Sequence, residues 1–91
     1  MLLVMYSIEY TAEARKSLRK LPVNVSRLLV QKIIQLSVDS SALANNIKAL
    51  KGVEGFRLRV GDYRIIYTIL NEKMVIKVIK IGHRQEVYKW N

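Results

Sequence analysis

The sequence predicts an α+β fold with an N-terminal strand, two helices and three further strands, in the order β-α-α-β-β-β. The two helices form a hairpin that packs on one face of a largely antiparallel sheet. Three observations support this prediction. Apolar residues recur at helical spacing in two stretches after an apolar N-terminal segment, residues 56–67 carry a hairpin signal, and residues 74–81 are rich in β-branched side chains. With 91 residues, 51% of them apolar, we expect one domain (1–91) around a single core.

The first part of the chain predicts a strand and a helix pair. Residues 2–10 are mostly apolar and end in alternation, which is typical of an opening strand. Thr11 is a typical N-cap residue for the first helix, and Pro22 predicts a sharp corner before the second. The apolar positions are Ala14, Leu18 and Leu21 in the first helix and Val25, Leu29, Ile33 and Leu36 in the second, widened by Leu28, Val30 and Ile34. Residues 42–51 fit either a short helix or a loop.

The predicted hairpin has a two-residue turn, Gly61-Asp62, between two strands. In that register Arg59 lies directly opposite Arg64, and Arg57 lies two residues along on the same face. Like charges opposed on a sheet are destabilising, and arginine cannot lose its proton to relieve the repulsion. An anion held between the side chains offsets it most simply, and guanidinium geometry suits a phosphate best. The alternative is an ordinary solvated basic face.

A third strand of the meander is predicted at residues 74–81, followed by a polar, extended tail. With a two-residue turn at residues 71–72, Lys77 falls on the basic face of the hairpin, whereas a shift of one residue would reverse this. The tail residues that carry functional groups are His83, Arg84 and Tyr88.

The net charge predicts an anionic partner. Sixteen Lys and Arg residues against seven Asp and Glu give a formal charge of +9. Nucleic acid is the commonest partner of such a surface, an acidic protein the second, and an anionic membrane a weak third. The absence of cysteine excludes disulfides and thiolate metal sites and fits the cytoplasm. We expect no membrane span or signal peptide, because no apolar stretch is long enough.

The composition is poor in the usual catalytic groups. It offers one histidine, seven acids, no glycine-rich phosphate loop and no cluster of metal ligands, so we expect neither a metal nor a cofactor. A basic cleft nevertheless suits RNA cleavage, because the 2′-hydroxyl of RNA attacks the adjacent phosphate and arginines stabilise the charge that develops. His83 is the natural general acid or base, and Tyr88 is placed to donate a proton or stack on a base. The alternatives are that His83 is an ordinary surface residue and that Tyr88 only packs against its neighbours.

These residues resemble the RelE branch of the RelE/ParE toxin superfamily. The matching segments, in order and spacing, are Leu21-Pro22, Leu50-Lys51-Gly52, residues 56–67, residues 71–73 and residues 81–88. The resemblance covers nearly the whole chain. It implies a toxin of a bacterial or archaeal toxin–antitoxin pair that enters the ribosomal A site and cuts messenger RNA there without a metal.

The resemblance also implies site residues. The family's basic and aromatic positions match Lys51 before the hairpin, Arg57 and Arg59 on one strand, Arg64 after the turn, and Arg84 and Tyr88 in the tail. Tyr88 matches the tyrosine that stacks on the nucleotide. Some members carry lysines, which shuttle protons, where Arg57 and Arg59 stand. Arginine is a poor substitute, so either His83 acts as the general base, or the reaction depends on water and positioning, or this protein is a slow enzyme.

The partners that the resemblance implies are a RelB-like antitoxin, the ribosome and messenger RNA. The antitoxin is partly acidic, wraps the toxin with a helical segment and carries the contacts to operator DNA, so this chain reaches DNA only indirectly. Two alternatives stay open: a ParE-like inhibitor of DNA gyrase without nuclease activity, and an inactive basic RNA-binding relative. The combination of Arg59, Arg64, Arg84 and Tyr88 favours the nuclease.

Overall fold

A computed structural model describes residues 5–87 and contains a five-stranded sheet in the order β1-β5-β4-β3-β2. The elements along the chain are β1 (Ser7–Tyr10), α1 (Ala12–Lys20), α2 (Val23–Val38), a 3₁₀ segment (Ser40–Asn46), β2 (Ile47–Ala49), β3 (Phe56–Val60), β4 (Tyr63–Leu70), β5 (Val75–His83) and α3 (Arg84–Val87). β1 pairs in parallel with β5, and the other pairs are antiparallel. The predicted α+β class is confirmed. Within the described range, no helix is both long and apolar enough to cross a bilayer.

One face of the sheet, the covered face, packs against the helices. Leu58, Ile65 and Ile81 lie side by side across β3, β4 and β5, and each is at most 2% exposed. They share a core with Leu29 and Ile33 of α2, both fully buried. Because side chains alternate along a strand, the residues between them point to the opposite, open face.

Thr11 joins the start of α1 to an irregularity in β5. Its hydroxyl oxygen accepts a hydrogen bond from the backbone N–H of Ala14 at 3.1 Å, which confirms the predicted N-cap. The same hydroxyl donates to the carbonyl oxygen of Ile79 at 2.7 Å. Ile79 is the extra residue of a β-bulge, and this bulge brings Lys77 and Lys80 to the same face although they are three residues apart.

The second helix buries a narrower stripe than the sequence indicated. Leu29, Ile33 and Leu36 are buried as predicted. Leu28 and Ile34 are 45% and 47% exposed, however, so they do not widen the contact with the sheet. The helix therefore presents apolar side chains to its outer surface.

The stretch that the sequence left open forms part of the 3₁₀ segment and the short edge strand β2. The backbone N–H of Leu50 donates to the carbonyl oxygen of Gly55 at 3.0 Å and closes the loop between β2 and β3. Gly55 has a φ of 135°, and a β-carbon there would lie 3.1 Å from the backbone oxygen of Tyr67. Glycine is therefore required where this loop passes β4.

Candidate functional site

The β3–β4 hairpin has the predicted register. Val60 pairs with Tyr63, and Arg59 pairs with Arg64. Gly61 opens the two-residue turn with a φ of 58°, in the left-handed region that glycine reaches at least cost. The two arginines therefore lie opposite each other on the open face.

Arg64 is held rigidly over the turn. Its Nη1 donates to the carbonyl oxygens of Gly61 and Tyr63, each at 2.9 Å, and the side chain is only 8% exposed. Both partners are neutral, so the guanidinium is oriented without losing its charge. Its Nε and Nη2 donors make no hydrogen bond to any described residue, which leaves them for a ligand.

Arg59 is oriented by an amide instead of a carboxylate. Its Nη2 donates to Oδ1 of Asn46 at 3.2 Å. Asn46 ends the 3₁₀ segment directly before β2, so the β2–β3 pairing brings it beside Arg59. The charge of Arg59 is again left uncompensated by its partner.

A second pair of like charges lies beside the first. Lys48 of β2 pairs with Arg57 of β3, two residues from Arg59 and on the same face. A cavity of about 130 Å³ opens between these side chains. Its lining residues are Asn45, Asn46, Lys48, Arg57, Arg59 and Arg64.

A larger cavity of about 410 Å³ adjoins the first and shares Asn46, Arg59 and Arg64 with it. Arg84 also lines it, because the backbone N–H of Arg84 donates to the carbonyl oxygen of Asp62 at 2.7 Å and docks α3 on the hairpin turn. The other lining residues are Lys32, Leu43, Val60 and Gly61. We call the two cavities together the basic cleft; its cations are Lys32, Lys48, Arg57, Arg59, Arg64 and Arg84. No carboxylate occurs among the described residues that line it.

The structure does not bring His83 to this cleft. His83 pairs with Tyr63 and packs against the edge of its ring, with 5.8 Å between ring centroids. This places it on the covered side of the sheet, because Gly82 is the residue opposite Arg64. The expected role of His83 as general acid or base therefore lacks the required proximity to the arginines.

Three further predicted site residues lie apart from the cleft or beyond the described range. Lys77 lies on the predicted face, opposite Thr68, but lines neither cavity. Lys51 is exposed in the loop between β2 and β3 and also lines neither. Tyr88 falls outside residues 5–87, so its predicted role stays a prediction.

Lys48 and Lys32 line the cleft but were not among the residues predicted from the sequence. A local signal for Lys48 existed, because Ile47-Lys48-Ala49 alternates and precedes a glycine-containing turn, as an antiparallel partner of β3 would. Lys32 had none, since its place at the cleft depends on where α2 lies relative to the hairpin.

Comparisons with known proteins agree with this architecture. The family model described as the ParE toxin of the type II toxin–antitoxin system parDE matches residues 8–88. The mRNA interferase toxin RelE of Escherichia coli K12 is 31% identical over 85 residues, which covers 91% of this chain and 90% of that protein.

Two solved structures are similar in fold and sequence. The toxin–antitoxin complex RelBE2 of Mycobacterium tuberculosis has a chain with a TM-score of 0.78 and 28% identity, covering 91% of this chain and 95% of that one. The archaeal RelE–RelB complex of Pyrococcus horikoshii has a chain with a TM-score of 0.75 and 26% identity, covering 88% of this chain and 96% of that one. The family model names the ParE branch, whereas this relative and both structures carry RelE names. The chain belongs to the RelE/ParE toxin superfamily and is a RelE-like toxin.

Proposed function

We propose that this RelE-like toxin is an endoribonuclease that cuts messenger RNA in the ribosomal A site, by attack of a 2′-hydroxyl on the adjacent phosphate. The observation that carries the proposal is the convergence of four arginines on one cleft whose described lining contains no carboxylate; they are Arg57, Arg59, Arg64 and Arg84. The similar E. coli protein is named an mRNA interferase, which supports the same reaction class. The site of action would be the cytoplasm, where translating ribosomes are found.

The cleft supplies the two contributions that this reaction needs most. Arg64, fixed by two carbonyl oxygens, would hold the scissile phosphate in line with the 2′-hydroxyl. Arg59 and Arg57 would stabilise the additional negative charge of the phosphorane-like transition state. Removal of one such donor typically lowers the rate by about 10²–10³-fold.

Metal independence is part of the proposal. RNA provides its own nucleophile, and the guanidinium groups supply the charge that a metal would otherwise supply. A phosphorothioate at the cut site should therefore slow cleavage without rescue by Mn²⁺ or Cd²⁺, in the presence of the Mg²⁺ that ribosomes require. Rescue by either thiophilic ion would show that a metal contacts the reacting phosphate.

Mapping of transcript ends after brief induction in cells tests the function directly. We expect clustered cuts inside translated codons for the wild type and none for Arg64→Ala. Arg15→Ala, which removes an exposed arginine of α1, is the matched control and should cut normally. Intact transcripts with broken or supercoil-altered DNA would identify the ParE-like gyrase inhibitor. Binding of RNA without cuts would indicate an inactive relative, and equal cleavage of free RNA would exclude ribosome dependence.

A RelB-like antitoxin is the proposed protein partner, and it would carry the contacts to operator DNA. The similar structures from M. tuberculosis and P. horikoshii are complexes with such antitoxins. In this chain a groove of about 440 Å³ beside α1 and α2 is lined by the apolar side chains of Leu21, Val23 and Val30 and by Arg19 and Arg27. An amphipathic acidic segment would cover the apolar floor and pair with both arginines.

Neutralisation by the co-expressed antitoxin tests this groove. Val23 is 66% exposed, so Val23→Asp should leave the toxin folded and active but no longer neutralised. Val53→Asp is the control, because Val53 is 62% exposed in the loop between β2 and β3, away from the groove. Equal neutralisation of both variants would place the antitoxin elsewhere.

A further inference from the structure

We propose that Lys48 is the proton donor of the basic cleft and that it protonates the 5′-oxygen as this oxygen leaves the scissile phosphate. The inference rests on the proposed nuclease function and adds to it the group that the arginines cannot provide. It assigns a step to a residue outside the positions that the sequence singled out.

The chemistry requires such a group. The 2′-oxygen forms a bond to phosphorus, the bond between phosphorus and the 5′-oxygen breaks, and the 2′-hydroxyl proton passes to water. The 5′-oxygen departs as an alkoxide unless an acid gives it a proton at that moment. Guanidinium groups stabilise the phosphate but do not release their protons, so arginines alone leave this step without a donor.

Among the described residues that line the smaller cavity, one side chain can release a proton. The cavity's described lining consists of two asparagines, three arginines and Lys48. Lys48 pairs with Arg57 across the β2–β3 ladder, which brings their β-carbons within about 5 Å of each other. The side chain of Lys48 is exposed at the edge of the sheet, so its flexible stem can deliver the ammonium to a phosphate held by Arg57 and Arg59. After the reaction the amine regains a proton from solvent.

Within residues 5–87, the other titratable groups near the cleft are less well placed. His83 lies on the covered side of the sheet against Tyr63. Lys77 and Lys80 lie on the open face but line neither cavity. Lys32 of α2 lines the larger cavity, whereas Arg57 lines the smaller one. Lys32 is the principal competitor.

Leaving-group substitution distinguishes a proton donor from a positioning residue. Lys48→Arg keeps the positive charge but cannot donate a proton, so we expect single-turnover cleavage on programmed ribosomes to fall by about 10²–10⁴-fold. In a messenger RNA with sulfur in place of the bridging 5′-oxygen, the leaving group is a thiolate, which departs without protonation. On that RNA the variant should cleave at nearly the wild-type rate. Lys73→Arg, in the turn at the far end of β4, is the matched control and should behave as the wild type on both RNAs.

Each other result overturns the assignment. A variant that cleaves the normal RNA at the wild-type rate, or that is slow on both RNAs, shows that Lys48 is not the donor. A sulfur-rescued defect in Lys32→Arg but not in Lys48→Arg moves the donor to the larger cavity. Wild-type protein that cleaves neither RNA on ribosomes overturns the proposed function itself, and the assignment with it.

Discussion

The covered and open faces of the sheet use alternate residues of the same strands but differ in what selects their side chains. On the covered face Leu58 and Ile65 are fully buried, and burial of each contributes about 1.5–3 kcal/mol to stability. On the open face Arg59 and Arg64 are paired directly opposite each other, and opposed like charges destabilise a sheet. Folding therefore explains the first face and opposes the second, so the second is the one that indicates function.

The hydrogen bonds of the open face point to the same distinction. Asn46 orients Arg59, and the carbonyl oxygens of Gly61 and Tyr63 orient Arg64. A carboxylate would hold either guanidinium more strongly but would also neutralise it. Neutral acceptors fix the geometry and keep the full charge for an anionic ligand.

Substitution in the covered face should have the largest effect. Ile65→Ala removes a fully buried side chain between β3 and β5, and we expect the free energy of unfolding to fall by about 2–5 kcal/mol. Urea denaturation measures this, and Ile65→Val should cost only about 0.5–1.5 kcal/mol. A loss below 1 kcal/mol for the alanine variant would mean that this face is not the core.

Arg59→Ala tests the open face with the opposite pattern. Ribosomal cleavage should fall by about 10²–10³-fold because an electrostatic donor is lost. The free energy of unfolding should stay within about 1 kcal/mol or rise, because repulsion with Arg64 is relieved. Single-turnover cleavage and urea denaturation of the same preparations give both values. A parallel loss of stability and activity would assign Arg59 a structural role.

The burial of Tyr67 on the covered face should make the stability of the protein depend on pH in the alkaline range. Burial raises the pKa of Tyr67 from its ordinary value of 10.0 to about 12. As the pH rises, the unfolded chain therefore loses this proton before the folded chain does. The contribution of the protonated Tyr67 to the free energy of unfolding is complete below pH 10 and is lost as the pH rises through 12, a total of roughly 2–3 kcal/mol. Unfolding curves of wild type and Tyr67→Phe should diverge over this range. If the free energy of unfolding of the two proteins changed equally with pH, Tyr67 would not have a raised pKa in the folded protein.

Inorganic phosphate should stabilise the protein through the open face alone. At ten times its dissociation constant, a bound anion adds about 1.4 kcal/mol to the free energy of unfolding. Thermal unfolding in phosphate, compared with chloride of equal ionic strength, should show this increment in the wild type but not in Arg59→Ala. Equal stabilisation of the two proteins would indicate a general salt effect.

Local patterns were sufficient to predict the part of the cleft that lies on the hairpin. A two-residue turn fixes the register, so Arg59 opposite Arg64 followed from the position of Gly61. The face of Lys77 was also predicted, although the β4–β5 turn has four residues instead of two. Adding two residues shifts the pairing by an even number, so the side chain stays on the same face.

The sequence by itself determined the helix pair, the hairpin register and the excess of positive charge, because each depends on residues near one another in the chain. The tertiary structure decided that Lys48 and Lys32 join the cleft and that His83 does not. Those placements depend on which distant segments pair and on where α2 lies against the sheet. Such contacts are selected by burial summed over the whole core, and no short stretch of sequence contains that sum.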